Sequence, residues 1–153
     1  MSEPQIRRVA PHDLQLLLAL FREHAAYEGH EYYEHRQYRL QLEHAFFSAP
    51  AVLHGWVVTV PGDLAGYMTA TVDFSAWSAD FYLHMDCLYL REPFRRRGLG
   101  RRLVDSLRAF ARERGISLIQ WQTPVNNTEG IQFYERLGAH SLDKKRFFLK
   151  CQP

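Results

Sequence analysis

The segment from residue 91 to residue 110 joins a cluster of arginines to two glycines and then to apolar residues at helical spacing. The first amides of a helix lack intrahelical acceptors and carry the positive end of the helix dipole, so such an end binds phosphate. Glycines would let an anion approach the backbone, and arginines would add charge-assisted hydrogen bonds. We therefore predict an anion-binding loop made of Arg95, Arg96, Arg97, Gly98, Leu99, Gly100 and Arg101.

The spacing of the glycines indicates which anion the loop binds. It lacks the G-x-x-x-x-G-K-[ST] pattern of a P-loop, and with it the lysine for a γ-phosphate and the hydroxyl for Mg²⁺. It also lacks the G-x-G-x-x-G pattern of dinucleotide-binding folds. A diphosphate that needs no metal fits better than ATP. The eight histidines and two cysteines show no spacing typical of a metal site or a structural disulfide, so we expect neither.

Asp86 is the second candidate for chemistry, because it interrupts the largely apolar run from 81 to 90. A carboxylate in such a strand is costly unless it is partnered or used. The alternation of a regular strand would place Asp86 on one face with Tyr82, His84, Leu88 and Leu90. Two interpretations stay open: a catalytic carboxylate, or a structural one bonded to Tyr82 or His84.

These residues need a scaffold of alternating strands and helices, which the hydrophobic pattern predicts. The predicted helices run from Leu14 to Ala25 with Asp13 as cap, over 35–48, from the glycines at 98 and 100 to Gly115, and over 127–138. The predicted strands are 6–10, 51–60, 64–74, 81–90, 116–123 and 145–150. The strand–helix–strand unit within 81–122 requires a right-handed parallel crossover, and the hairpin within 51–74 keeps part of the sheet antiparallel. The fold class is therefore mixed α+β.

Length and composition favour an ordinary soluble domain. The chain has 153 residues, of which 46% are hydrophobic and 24% charged, so we expect one domain over 1–153. The net charge is only +2, and acids such as those within 27–35 offset the basic loop. The first residues show no signal-peptide pattern, and no apolar stretch reaches 18 residues. We expect a cytoplasmic protein that has no membrane partner.

Two motifs resemble those of the GNAT superfamily of acyl-CoA-dependent N-acetyltransferases. "RRRGLG" (95–100) resembles its R/Q-x-x-G-x-G/A signature, and "NNTEGIQFYERLGA" (126–139) resembles its N-x-x-(A/G/S)-x-x-F-Y-x-x-x-G segment. The resemblance implies the GNAT fold, with a central mixed sheet of six to seven strands and about four helices. It also implies acetyl-CoA as cosubstrate, without a metal, and a homodimer as in many relatives.

A narrower resemblance points to the substrate. "HAAYEGH" (24–30) and "WSADFYLHMD" (77–86) are similar to the spermidine/spermine and thialysine N-acetyltransferase branch. That branch usually carries Glu-Asp on the central strand, whereas here Asp86 stands alone in the shorter form Met85-Asp86-Cys87. The resemblance implies an amine acceptor, while its identity stays open between polyamine-like and amino-acid-like molecules.

The superfamily resemblance assigns roles to several residues. Tyr134 would protonate the departing thiolate, unless it merely packs with Phe133 and Leu137. Asn127 would contact pantetheine or pyrophosphate while it caps the last helix. Pantetheine would lie along the strand edge offered by Leu88, Tyr89 and Leu90.

The acceptor amine sets the remaining requirements. An alkyl ammonium with a pKa near 10.4 is almost fully protonated at pH 7, and only the neutral amine attacks a thioester, so Asp86 would accept its proton directly or through water. Carboxylates interleaved with aromatic faces bind polycations, which makes Tyr27, Glu28 and Trp77 candidates for the amine pocket. Gln120, Trp121 and Gln122 are candidates on the facing strand, or form an ordinary polar strand near an edge.

The sequence is also compatible with functions other than acetylation of a polyamine. The acceptor could be an amino acid, an aminoglycoside or a protein N-terminus. A phosphate- or nucleic-acid-binding module would instead use the helix after Gly98 as its contact face. That helix carries both positive and negative side chains, at Arg101, Asp105, Arg108 and Glu113, which argues against a nucleic-acid-binding face. We therefore expect a small-molecule amine as substrate and no nucleic-acid partner.

Overall fold

A five-stranded mixed sheet forms the scaffold in a computed structural model that describes residues 2–152. The strands are β1 (Gln5–Arg8), β2 (His54–Val60), β3 (Asp63–Ser75), β4 (Asp80–Leu90) and β5 (Ile119–Gln120). The α-helices are α1 (Leu14–Glu28), α2 (Tyr38–Phe47), α3 (Leu99–Glu113) and α4 (Thr128–Arg136). Short 3₁₀ helices span Pro11–Asp13 and Glu92–Phe94.

The strands lie in chain order across the sheet. β1 to β4 pair antiparallel, and β4 pairs with β5 in parallel. The predicted hairpin is confirmed, with Gly62 at φ +74 in the tight turn between β2 and β3. The parallel crossover through α3 is also confirmed, and it brings the chain directly from β4 into the predicted anion-binding loop.

Helices cover both faces of this sheet. On one face Leu14, Leu17 and Leu20 of α1 pack with Val57 and Tyr67 in a buried cluster. Neighbouring residues of a strand point to opposite faces. Trp56, which adjoins Val57, accordingly meets Phe110 of α3 edge-on, with ring centres 5.3 Å apart. The α3 side chains Leu103 and Leu107 are fully buried, as their helical spacing predicted.

A β-bulge breaks the regular alternation of β4. Thr69 of β3 lies opposite Cys87, and the next β3 residue, Ala70, lies opposite Met85, so Asp86 is the extra residue. His84 and Cys87 therefore point to one face, and Leu88 points to the other. The predicted single face that joined Asp86 to Leu88 and Leu90 is wrong, because the bulge shifts every later side chain.

Three further expectations are corrected. The described residues form five strands rather than six to seven, and residues 139–152 adopt neither helix nor strand, so the predicted strand at 145–150 is absent. Phe147, Phe148 and Leu149 are exposed there, and an apolar run forms a strand only beside a strand that takes its backbone hydrogen bonds. The predicted strand at 116–123 is reduced to Ile119–Gln120.

Asp13 occupies the N-cap position of α1, as predicted, but its side chain makes no capping hydrogen bond to that helix. Its buried carboxylate instead accepts hydrogen bonds from Arg7, at 2.6 and 2.9 Å, and from the Ala10 amide, at 2.8 Å. Asp13 is a residue type that favours helix N-caps, but its side chain binds Arg7 instead of the first amides of α1.

The chain divides into two compact units, one up to Gln122 and one from Thr123. The second unit contains α4, which begins after Asn127 as predicted and is followed by Gly138 at φ +90. The single-domain organisation stays a prediction. Within residues 2–152, none of the helices has the length and apolar character that crossing a membrane requires.

Candidate active site

The predicted anion-binding loop forms at the N-terminus of α3. Gly98 is the N-cap residue at φ +78, a conformation that favours glycine, and its carbonyl accepts from the Arg102 amide at 3.1 Å. A Cβ at Gly98 would meet no atom within 4 Å, so the backbone is open to approach. Arg96 also has a positive φ, of 58°, which is uncommon for a residue with a side chain. The loop geometry suits an anion held by backbone amides.

The Arg95 side chain has a structural role in this loop. Its Nε donates to the Leu90 carbonyl at 2.7 Å. Its guanidinium lies 4.6 Å from the centre of the Tyr27 ring and 5.6 Å from that of Tyr89. Arg95 thereby joins the loop to the end of α1. The Leu90 carbonyl, predicted to face the cosubstrate, is already engaged by this arginine.

β4 and β5 diverge next to the loop. Their pairing comprises Leu83 with Ile119 and His84 with Gln120, and β5 ends there. The edge of β4 that contains Leu88 and Tyr89 therefore continues without a β5 partner in the described chain. Such an edge can take an extended polar ligand as an added strand. Trp121 and Gln122 follow the end of β5 directly.

A cleft of about 290 Å³ opens on the α1 face of the sheet. Its walls come from α1, the segment after it, α2, Leu53, β3 and β4: Phe21, His24, Ala25, Glu28, His30, Tyr32, Tyr38, Leu42, Leu53, Tyr67, Thr69, Asp86 and Cys87. Thr69 is 2% exposed, and its Oγ1 has no hydrogen-bond partner among the described residues.

Asp86 enters the cleft because of the bulge. Its side chain is 54% exposed, with Oδ1 3.9 Å from His84 Nε2. The Cys87 thiol donates to its Oδ2 at 3.7 Å. A carboxylate that is reachable from the cleft and held by its neighbours can accept a proton from a bound ligand.

Glu28 forms the other acidic end of the cleft and is held by two histidines. Its Oε1 lies 3.0 Å from His24 Nε2, and its Oε2 lies 3.6 Å from His30 Nε2. On its other side His24 Nδ1 lies 2.6 Å from the Tyr67 hydroxyl. Burial lowers the pKa of His24, so the imidazole is neutral at pH 7. Because a carboxylate accepts, His24 donates from Nε2 to Glu28 and accepts at Nδ1 from Tyr67.

The other predicted amine-site residues lie outside the cleft. Tyr27 is 49% exposed beneath Arg95, and Trp77 is fully exposed in the turn between β3 and β4. Of the predicted substrate residues, the cleft thus unites Asp86 and Glu28. Tyr32 also lines the cleft, and Tyr38 packs edge-on against it with ring centres 5.8 Å apart.

Tyr134 and Asn127 belong to the second unit. Tyr134 is half-buried on α4, and its ring centre lies 5.4 Å from that of Phe133. Asn127 caps α4, since its Oδ1 accepts from the Gly130 amide at 3.2 Å and its Nδ2 donates to Thr123 at 2.8 Å. Their roles in catalysis and cosubstrate binding stay predictions.

Sequence reasoning missed His24, Tyr67 and Cys87 as members of the site. One signal was available for His24, which precedes Glu28 by four residues and so shares its helix face. Tyr67 and Cys87 lie on strands, where the face and neighbours of a side chain depend on register. The described residues contain no group of three or more metal-ligating side chains, and the absence of a metal stays a prediction.

Comparison with known proteins identifies the family. The model of the Acetyltransferase (GNAT) family matches residues 16–139. Thialysine N-epsilon-acetyltransferase of Caenorhabditis elegans is 34% identical over 92 residues, which are 60% of this chain and 57% of that protein. L-ornithine N5-acetyltransferase of Arabidopsis thaliana is 28% identical over 76 residues, which are 50% of this chain and 33% of that protein. The chain thus spans about a third to three fifths of these relatives.

A solved structure shows the same fold. The structure of AAC(6')-Iy in complex with the bisubstrate analog CoA-S-monomethyl-acetylneamine has a TM-score of 0.77 and 18% identity, and the match covers 99% of this chain and all of the other. With the family match and the mixed sheet, this similarity establishes the α+β fold predicted from the motifs. The chain belongs to the GNAT family of acetyltransferases.

Proposed function

We propose that the chain is an acetyl-CoA-dependent N-acetyltransferase that modifies the primary amine of a small diamine, polyamine-like or amino-acid-like molecule. The observation that carries the proposal is the position of Asp86: a β-bulge in β4 directs its carboxylate into the cleft of a GNAT fold. A carboxylate there can take the proton that an ammonium must lose before it attacks.

The transfer proceeds by direct attack within a ternary complex. Asp86 accepts the ammonium proton, directly or through one water. The nitrogen then forms a bond to the acetyl carbon as the carbon–sulfur bond breaks. Tyr134 donates a hydrogen bond or a proton to the departing sulfur. Because a thiol has a pKa near 8.5, that sulfur needs only modest help.

The loop at α3 supplies the acetyl-CoA site. Gly98 leaves the first α3 amides open, which suits the pyrophosphate. The edge of β4 beyond its pairing with β5 suits the amides of pantetheine. Asn127 is the predicted further contact. The chemistry needs no metal, since amide donors and arginines neutralise the diphosphate.

Glu28 defines the acceptor class. It places a second carboxylate in the cleft that holds Asp86, and two anionic groups favour a substrate with two cationic ends. Two relatives are named for acetyl transfer to thialysine and to L-ornithine. The alternative acceptors are an aminoglycoside, such as the neamine moiety in the analog bound to AAC(6')-Iy, or a protein N-terminus.

The proposal includes a single-domain, cytoplasmic enzyme that forms a homodimer. Light scattering coupled to gel filtration tests the dimer, and a monomeric mass at micromolar concentration contradicts it. A nucleic-acid-binding module is the rival from another class. Salt-sensitive binding to an oligonucleotide, without any effect of acetyl-CoA on stability, would favour that rival.

One assay tests the proposed activity. Purified protein is incubated with acetyl-CoA and a panel of diamines, polyamines, lysine analogues, amino acids and aminoglycosides, and free CoA thiol is measured. We expect release with the diamines or lysine analogues, at rates well above a no-amine control. Release that is equal with and without any amine contradicts the proposal.

A further inference from the structure

Glu28 differs in its partners from Glu23, the other carboxylate of α1. Glu23 pairs with Arg91 at 2.8 Å. The Glu28 side chain is only 24% exposed, yet its oxygens face two imidazoles, His24 Nε2 at 3.0 Å and His30 Nε2 at 3.6 Å. Among the residues that the structure describes, no arginine or lysine forms an ion pair with it. A largely buried carboxylate without such a partner is costly, so Glu28 is suited to a cationic ligand in the cleft.

His24 connects Glu28 to the sheet through both nitrogens of its ring. Nε2 donates to Glu28 Oε1 at 3.0 Å, and Nδ1 accepts from the Tyr67 hydroxyl at 2.6 Å. Tyr67 is 2% exposed on β3, and packing on all sides fixes its ring. Tyr89 of β4 stacks on the imidazole with ring centres 5.0 Å apart. Two strands therefore hold the imidazole, and the imidazole holds the carboxylate.

The imidazole orients Glu28 without cancelling its charge. Burial lowers the pKa of His24, so the ring is neutral at pH 7. A neutral donor leaves the negative charge available to a cation in the cleft, whereas an arginine at this position would compete with that cation. Glu28 therefore keeps both its charge and a defined direction.

The positions of both carboxylates in the cleft depend on the paired strands β3 and β4. Asp86 is the extra residue of the bulge between these strands, and Glu28 is bonded to β3 through His24 and Tyr67. We propose that His24 is a positioning residue that determines which length of diamine the enzyme prefers. The inference rests on the proposed acetyl transfer, in which the reacting nitrogen lies at Asp86 and the second ammonium at Glu28.

A diamine binds both carboxylates well only when its two nitrogens match their separation. Hydrogen bonds tolerate little change in length, so a chain that is one methylene too short or too long loses contact at one end. A glutamate side chain has several rotatable bonds, and without its bond to His24 the Glu28 carboxylate would move among rotamers. A mobile Glu28 would bind the best diamine less well and discriminate less between lengths.

Steady-state kinetics with unbranched terminal diamines that differ by one methylene each tests the inference. We expect the wild type to have its lowest KM at one length. In His24→Leu, which keeps an apolar body of similar size but makes neither bond, KM for that diamine should rise up to about fivefold and the differences between lengths should shrink. The value of kcat should change less, because the reacting nitrogen lies at Asp86.

Three further variants sharpen the test. His24→Gln keeps a donor near the position of Nε2 and should restore most of the wild-type length preference. Added to Glu28→Gln, His24→Leu should raise KM for diamines no further, because both changes remove the same interaction. His44→Leu is the matched control, since His44 is exposed on α2 and bonds Ser48 at 2.8 Å, and it should keep the wild-type series of KM values.

Two results would overturn this role of His24 while leaving the proposed activity intact. One is an unchanged series of KM values in His24→Leu. The other is an equal rise in the KM of a monoamine, which has no second cation and so reports damage to the cleft as a whole. If His24→Leu melts early, Tyr67→Phe replaces it, since it removes only the hydroxyl that bonds Nδ1, and an unchanged length preference there also overturns the role. A wild-type protein that acetylates no amine contradicts the proposed function itself.

Discussion

Arg95 and Tyr27 join the predicted cosubstrate loop to the helix that carries the acidic end of the cleft. The guanidinium lies 4.6 Å from the ring centre of Tyr27, and its Nε donates to the Leu90 carbonyl at 2.7 Å. Tyr27 precedes Glu28 on α1. The sequence pattern predicts that Arg95 binds an anion. The structure shows that Arg95 also fixes the position of the loop against α1.

Replacing Arg95 with methionine keeps an unbranched, flexible side chain and removes the charge and the hydrogen-bond donors. We expect a loss of about 1–2 kcal/mol in the free energy of unfolding, from one hydrogen bond to a carbonyl and the cation–π contacts with Tyr27 and Tyr89. KM should rise for both acetyl-CoA and the amine, because the loop and α1 lose a common anchor. Denaturant unfolding and steady-state kinetics measure the two effects. A change in the KM of acetyl-CoA alone would mean that Arg95 acts only on the anion.

Gly98→Ala tests the backbone approach of the cosubstrate. Alanine at φ +78 costs about 1 kcal/mol whatever the ligand does, so a control with the same strain is needed. Gly62→Ala supplies it, since Gly62 has φ +74 and no atom within 4 Å of a Cβ. Both variants should lose similar stability. The increase in Tm on adding acetyl-CoA should shrink in Gly98→Ala and persist in Gly62→Ala.

The stabilisation of the wild-type protein by acetyl-CoA gives the expected size of the effect. A ligand at 100 times its Kd stabilises the native state by roughly 2.7 kcal/mol. The effect should need no added metal. If the acetyl-CoA-induced increase in Tm shrinks equally in both glycine variants, the loop at Gly98 is not part of the binding site. If ATP with Mg²⁺ stabilises the protein and CoA does not, acetyl-CoA is not the ligand.

Tyr134→Phe separates catalysis from packing. Phenylalanine keeps the contact with Phe133, so Tm should stay within a degree or two of wild type. We expect kcat to fall about 10²- to 10³-fold, because the hydroxyl no longer assists the leaving thiolate. Normal turnover, or a large loss of stability, would mean that Tyr134 serves the core of its unit.

Asp86 and Glu28 should separate in kinetics. Asp86→Asn should lower kcat most, and rising pH should partly restore it by supplying neutral amine. Glu28→Gln should raise KM for diamines up to about fivefold, the size of one partly exposed ion pair, and leave the KM of a monoamine unchanged. If Glu28→Gln raises KM equally for diamines and for a monoamine, Glu28 does not bind the second cation of the substrate. That result would favour an amino-acid or aminoglycoside acceptor.

Asp13 should make stability depend on pH. Burial alone would raise its pKa, but hydrogen bonds from Arg7 and the Ala10 amide outweigh burial and hold it below the ordinary value of 3.8. The stabilisation is therefore present above about pH 4 and is lost as pH falls through the lowered pKa. Asp13→Asn should cost about 1–2 kcal/mol at pH 7, and the difference should shrink as the pH falls below 4. Urea unfolding across that range measures it, and a constant difference would contradict this origin.

Local signals predicted the parts of the fold that position the loop. Glycines at both ends of α3 and its apolar spacing located the helix, and the apolar run before it located β4. Asn127 marked the start of α4 for the same reason, since a cap acts on its own backbone. These features depend on neighbours within a few residues.

The interior of the cleft could not be predicted from such signals. The bulge at Asp86 depends on how β3 and β4 align, and the bond from Tyr67 to His24 joins residues 43 positions apart. The capture of Asp13 by Arg7 likewise depends on how β1 meets the segment before α1. A capping hydrogen bond is worth about 1 kcal/mol, and the paired charge-assisted hydrogen bonds from Arg7 to the buried Asp13 carboxylate are stronger.

Mass spectrometry of the small molecule tests the central claim most directly. Purified protein, acetyl-CoA and a terminal diamine are incubated together, with Asp86→Asn as the matched control, and the amine is recovered. Our account predicts one acetyl group on a terminal nitrogen, formed in proportion to free CoA and far more slowly by the variant at pH 7. Release of CoA without an acetylated amine, from the diamine or any other member of the panel, would contradict it.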